Sequence, residues 1–148
     1  MAARLKAGRS PYWLTLSGPN GCGKTHLARW LSRRFESVLG TTLVPQVWTL
    51  AEVKRAYLGG GWGLMGELAK SPWLVLDEVG AEKGNDAFRE AVIELLNARL
   101  GKWTVITTNL SEREIEAAFT ARVTSRLVRA GNVHLRVDAP DFSTRNTD

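Results

Sequence analysis

Eight consecutive residues, Gly18-Pro19-Asn20-Gly21-Cys22-Gly23-Lys24-Thr25, constrain this chain more than any other feature of its sequence. The glycines permit backbone conformations and close approaches that a side chain would block, so successive N–H groups can turn toward one point. An apolar run from Tyr12 to Ser17 precedes the segment, and a helix-forming stretch begins inside it at Lys24. Strand, tight loop and helix N-terminus in that order make an anion cradle, because the positive end of the helix dipole adds to the converging amides. The spacing Gly-x-x-x-x-Gly-Lys-Thr is the Walker A pattern. It predicts that Lys24 reaches the β- and γ-phosphates of a nucleotide and that the Thr25 hydroxyl coordinates Mg2+. ATP and Mg2+ are therefore the expected cofactors, with Gly18, Pro19, Asn20, Gly21, Cys22, Gly23, Lys24, Thr25 and His26 as the expected contacts. Cys22 is expected to contribute its backbone N–H, and His26 to pack against or cap the loop.

Two further strand ends carry polar groups suited to the same site. Trp73-Leu74-Val75-Leu76 is a buried-type run that stops in Asp77-Glu78, the Walker B arrangement. Ligands of open parallel sheets bind at the carboxyl ends of the strands, so Asp77 is expected beside the phosphate loop, holding the Mg2+ shell. Glu78, one residue on, is expected to orient and deprotonate the attacking water. The run Ile106-Thr107-Thr108 ends in Asn109, which by the same argument faces the γ-phosphate or the lytic water.

Short β-rich runs alternate with helical stretches along the 148 residues, the pattern of an α/β fold with a parallel sheet covered by helices on both faces. Strands are predicted near Tyr12 to Ser17, Leu43 to Trp48, Trp73 to Asp77, Trp103 to Thr108 and Val133 to Val137. Helices are predicted near Lys24 to Glu36, Leu50 to Leu58, Leu64 to Lys70, Asp86 to Leu100, Glu112 to Phe119 and Ala121 to Ala130. Phe88, Val92, Leu95, Leu96 and Arg99 fall on one amphipathic stripe, and Gly101 is the expected C′ residue after it. Ser111 and Glu114 have capping-box spacing. The run Gly59-Gly60-Gly61-Trp62-Gly63 reads as a hinge or loop that exposes Trp62. Trp13, Trp48, Trp73 and Trp103 sit on strands and are expected to pack the core or its rim. His134, also on a strand, is expected to be structural.

With three motifs in order on strands one, three and four, the chain resembles the AAA+ superfamily. It is most similar in pattern to bacterial replicative helicase loaders of the DnaC type and to IstB-type transposition helper ATPases. The resemblance spans about Trp13 to Asp141 and rests on Gly18 to Ala28, Leu76 to Glu82, Thr107 to Leu110, and Arg-Val-Thr-Ser-Arg-Leu from Arg122 to Leu127. It implies a three-layer P-loop NTPase fold with a five-stranded parallel sheet. It implies that Arg126 is an arginine finger offered to the ATP of a neighbouring subunit, and that subunits assemble into a ring or spiral. It also implies that Lys54 and Arg55 face single-stranded DNA, with a replicative helicase or a transposase as protein partner. The family pattern departs in three places: about ten residues precede the first strand, no C-terminal lid domain is expected, and Asp141-Phe142 is followed by Ser143 where relatives have Arg, which appears here only at Arg145.

The expected organisation is a tail or linker over 1–11, one ATPase domain over 12–142 and a short tail over 143–148. No apolar run approaches the roughly 18 residues of a membrane span, and the first ten residues hold no apolar stretch of signal-peptide length, so secretion is not expected. The lone Cys22 excludes an internal disulfide, consistent with a cytoplasmic location. A net charge of +5 favours attraction to phosphate polyanions. The expected activity is ATP hydrolysis, weak in the monomer. Two other classes share the phosphate loop: a small-molecule kinase, and a nucleotide-gated binding module with little turnover.

Overall fold

The computed structural model describes residues 13–39, 46–80, 86–128 and 132–140. Five strands, β1 (Trp13–Ser17), β2 (Gln46–Thr49), β3 (Trp73–Asp77), β4 (Trp103–Thr108) and β5 (Val133–Arg136), form one sheet in the order β2-β3-β4-β1-β5. Every neighbouring pair is parallel. The α/β class and the five-stranded parallel sheet are therefore as the sequence predicted. The strand order inserts β4 between β1 and β3, so the strand ending in Asn109 lies between the two strands that carry the phosphate loop and Asp77.

Six helices accompany the sheet among the described residues: α1 (Lys24–Leu39), α2 (Leu50–Leu58), α3 (Trp62–Lys70), α4 (Asp86–Ala98), α5 (Glu112–Ala118) and α6 (Ala121–Val128). Side chains alternate across a strand, so successive apolar residues feed opposite layers. Leu14, Leu16, Trp73, Val75, Trp103 and Val105 pack with Ala28, Leu27 and Leu31 of α1. Leu74, Leu76 and Ile106 pack on the other side with Val53, Leu68, Val92, Leu96, Ile115, Val123 and Leu127 from the remaining helices. The three central strands are buried along their whole length, which suits the apolar run of β3 and leaves the hydroxyls of Thr15, Ser17, Thr104, Thr107 and Thr108 buried on β1 and β4.

Boundaries differ from the sequence reading in a few places. β2 begins at Gln46, and the predicted start at Leu43 lies outside the described residues. β5 ends one residue before Val137, and α1 continues three residues past Glu36. Helix α3 starts at Trp62, so Gly63 is helical and only Gly59 to Gly61 form the break. The side chain of Trp62 lies outside the described residues. Trp13, Trp73 and Trp103 are buried and Trp48 packs at the core's edge, as expected, whereas Trp30 on α1 is 56% exposed.

Helix starts follow local hydrogen bonding. Ser111 and Glu114 form the predicted capping box at α5, and Thr49 with Glu52 forms a second at α2. Hydrogen bonds from the capping residues hold the Glu52 and Glu114 carboxyls below the usual carboxylate range.

The stripe of α4 predicted as apolar continues into Arg99, which is fully buried just past the helix end. Its Nε donates to Thr104 Oγ1 at 2.9 Å, Nη1 to the carbonyls of Leu68 (2.6 Å) and Ser71 (2.8 Å), and Nη2 to the Trp103 carbonyl at 2.7 Å. One planar guanidinium thus ties α3, the entry to β3 and the start of β4 together. Burial pushes its pKa down to about 10, which still leaves it charged at neutral pH.

Candidate nucleotide site

The phosphate loop leaves β1 at Gly18, where the chain squeezes past the exit of β5. A Cβ on Gly18 would lie 2.3 Å from the Val137 carbonyl oxygen, so no larger residue fits without moving that segment. The Gly18 N–H donates to the Thr108 carbonyl at 3.3 Å, and the Val137 N–H donates to the Ser17 carbonyl at 2.7 Å. The loop entry is therefore pinned from β4 on one side and β5 on the other. At Gly23 a φ of +91° turns the chain into α1. Lys24 Nζ bends over the loop and donates to the carbonyls of Gly18 (2.8 Å) and Pro19 (2.7 Å).

A cleft of about 890 Å3 opens above this loop. That volume lies in the range of small-molecule and cofactor sites. Asn20, Gly21, Cys22, Gly23, Lys24, Thr25 and His26 line one wall, Glu78 and Asn109 another, with Thr107, Thr108, Ala139 and Pro140 completing it. Asp77 is buried at the edge of this group, and Thr25 Oγ1 donates to its Oδ1 at 3.0 Å. Walker A, Walker B and Asn109 are thus brought to one place from three strands, as parallel registry demands. The registers Ser17↔Thr108 and Leu76↔Ile106 level the three strand ends.

Other predicted residues lie elsewhere. Lys54 and Arg55 are on α2, away from the cleft lining, Lys54 half-buried and Arg55 exposed. Arg122 and Arg126 are on α6, but their side chains lie outside the described residues, as does Arg145 altogether. His26 is exposed and lines the cleft.

Sequence reasoning missed several contributors. Ala139 and Pro140 carry no chemical signal and reach the cleft only because β5 lies beside β1. Thr107 and Thr108 read as ordinary strand formers, yet both hydroxyls are committed around the turn after Asp77. His134 has the expected structural role in a specific form: its Nε2 lies 2.7 Å from Ser17 Oγ and its Nδ1 3.4 Å from a Glu112 carboxylate oxygen. This line of groups resembles a nucleophile, base and orienter, but Ser17 is buried and neither it nor His134 lines the cleft, so it braces β5 against β1 and α5.

The model of the family described as IstB-like ATP binding protein matches residues 9–130, most of the chain. The chain belongs to this ATP-binding family. No curated protein matches it. Among solved structures, the DnaC helicase loader superposes with a TM-score of 0.66 at 27% identity, covering 86% of this chain and 78% of that one. DnaI superposes with a TM-score of 0.73 at 20% identity, over 93% of this chain and 81% of that one. AMPPCP-bound DnaA from Aquifex aeolicus also gives 0.73, at 16% identity, over 93% of this chain. This IstB-like domain spans 44% of that DnaA chain, and the likeness to DnaI and DnaA is one of fold. Among the described residues no helix is long and apolar enough to cross a membrane.

Proposed function

We propose that residues 12–142 form an ATP-hydrolysing AAA+ domain that assembles on single-stranded DNA and acts on a replicative helicase. The observation that carries the reading is the convergence of Lys24, Thr25, Glu78 and Asn109 on one cleft with Asp77 at its edge. Loop amides and the α1 N-terminus attract the triphosphate, and Lys24 exchanges its two loop carbonyls for phosphate oxygens. Thr25 and Asp77 fit Mg2+. Their oxygens already meet at 3.0 Å, and among the described residues no cluster of three or more His, Cys, Asp or Glu offers a softer or fuller ligand set. Mg2+ characteristically takes one or two protein oxygens and completes its shell with phosphate and water. When bound it would neutralise charge on the β- and γ-phosphates.

Glu78 is exposed to the cleft and off the Thr25-Asp77 pair, the position required of a base that takes a proton from water. Asn109, on the neighbouring strand end, supplies an amide that can hydrogen-bond the γ-phosphate or that water. Arg126, on α6, is the proposed finger for a neighbouring subunit's ATP, so turnover depends on assembly. Lys54 and Arg55 are the proposed DNA contacts. A second reading, a helper ATPase for a transposase, is favoured by the family match itself.

Single-turnover hydrolysis with and without single-stranded DNA, together with particle mass in an ATP analogue, tests the proposal. Hydrolysis should rise on assembly, Glu78→Gln and Arg126→Ala should abolish turnover and spare binding, and a helicase rather than a transposase should be the stimulating partner. Undiminished hydrolysis by assembled Arg126→Ala would sink the shared-site reading, and a phosphorylated small molecule in place of free phosphate would replace it with a kinase.

A further inference from the structure

Glu78 is the single non-glycine residue with positive φ among the described residues, at +60°. An L-residue in the left-handed region is strained and persists only where its surroundings over-determine it. What over-determines Glu78 comes from β4. Its N–H donates to Thr107 Oγ1 at 2.9 Å, the next N–H, of Val79, donates to the Thr107 carbonyl at 2.9 Å, and Thr108 Oγ1 donates to the Val79 carbonyl at 2.7 Å. Val79 is itself buried, which anchors the far side of the turn.

The Thr107 hydroxyl has one proton, and it goes to Asp77 Oδ1. A single buried oxygen therefore donates to the carboxylate at the edge of the cleft and accepts from the backbone of the residue that follows. The group tying them stands on the neighbouring strand β4, two residues before Asn109.

We propose that Thr107 is a positioning residue for hydrolysis: its hydroxyl fixes the Asp77 carboxylate and holds Glu78 in the left-handed conformation that aims its side chain into the cleft. The inference rests on the assignment of Glu78 as base. Valine fills the same space in a buried strand but can neither donate to Asp77 nor accept from Glu78. Serine keeps both bonds and loses only a methyl group.

The test compares Thr107→Val, Thr107→Ser and Glu78→Gln in the full chain. Three readouts are taken: amide hydrogen exchange at Glu78, affinity for a fluorescent ATP analogue, and single-turnover hydrolysis in the assembled state. Thr107→Val should lose protection at the Glu78 amide and slow hydrolysis by about 10- to 100-fold, the usual cost of removing a group that orients a site carboxylate. Analogue affinity should stay within about threefold, because the phosphate loop is untouched. Thr107→Ser should restore both protection and rate.

A Glu78 amide that stays protected in Thr107→Val, or a valine variant that turns over like wild type while Glu78→Gln is dead, overturns the inference alone. Equal loss in the valine and serine variants also overturns it, since packing rather than the hydroxyl would then matter. Full turnover by Glu78→Gln refutes the base assignment instead, and the amide exchange still decides whether Thr107 holds the turn. If Thr107→Val does not fold, Thr107→Ala is read by the same three measurements.

Discussion

Replacing Arg99 by methionine isolates what a buried cation with no carboxylate partner among the described residues contributes. Methionine approximates the aliphatic stem, so the loss is confined to the guanidinium. Four hydrogen bonds go with it, and the carbonyls of Leu68, Ser71 and Trp103 each lose the donor seen in the structure. Thr104 Oγ1 is the exception, because it still donates to the Lys102 carbonyl at 3.2 Å. A buried acceptor left unsatisfied costs about 1 to 3 kcal/mol, which puts the gross loss for three carbonyls at about 3 to 9 kcal/mol. Removing the ion also removes its own desolvation penalty, on the order of 3 kcal/mol, so from the middle of that range the net destabilisation should be about 3 kcal/mol. At about 3 °C per kcal/mol for a chain of this size, the melting temperature should fall by about 9 °C. Differential scanning calorimetry of Arg99→Met beside the exposed control Arg33→Met measures this directly. A change of less than about 2 °C, with the control unchanged, would refute the reasoning, since it would mean that the three carbonyls find other donors or never needed one.

Gly18→Ala should weaken binding of an ATP analogue by about tenfold or more, because the new Cβ must displace the Val137 carbonyl that now lies 2.3 Å from its position. Isothermal titration checks it, and wild-type affinity would show that the β5 exit yields freely. The two capping boxes make stability depend on acid pH. Glu52 and Glu114 have folded-state pKa values below the ordinary 4.5, so their contribution is complete above that value and is lost as pH falls through the lowered ones. Thr49→Ala should therefore cost about 1 kcal/mol at neutral pH and flatten part of the acid limb, followed by urea unfolding at a series of pH values. An acid limb identical to wild type would show that the Thr49 cap contributes nothing to it.

Much of the site was legible in the sequence because its parts are local. A phosphate loop is one contiguous segment whose glycine spacing, lysine and threonine define its shape. A strand that stops in Asp77-Glu78 announces a carboxylate at a sheet edge. Ser111 and Glu114 meet across a single helical turn, so their capping box could be read from spacing alone. Periodicity also placed the buried face of α4, and even put Arg99 on it.

What the periodicity could not say is how a guanidinium survives there, since its acceptors come from residues 68, 71, 103 and 104, distant in sequence or beyond a turn. Strand order was equally out of reach. Nothing local dictates that β4 should separate β1 from β3, because parallel strands are joined by long crossovers that permit several orders. Yet that order is what brings Thr107 against Asp77 and Glu78, sets Ala139 and Pro140 at the rim of the cleft, and lets His134 brace Ser17. The sequence alone determined the loop pattern of Gly18 to Thr25 and the polar groups that follow β3 and β4, through short-range geometry that a few residues can encode. The tertiary structure decided which groups hold them in place, because those contacts join chain segments that only the assembled sheet makes neighbours.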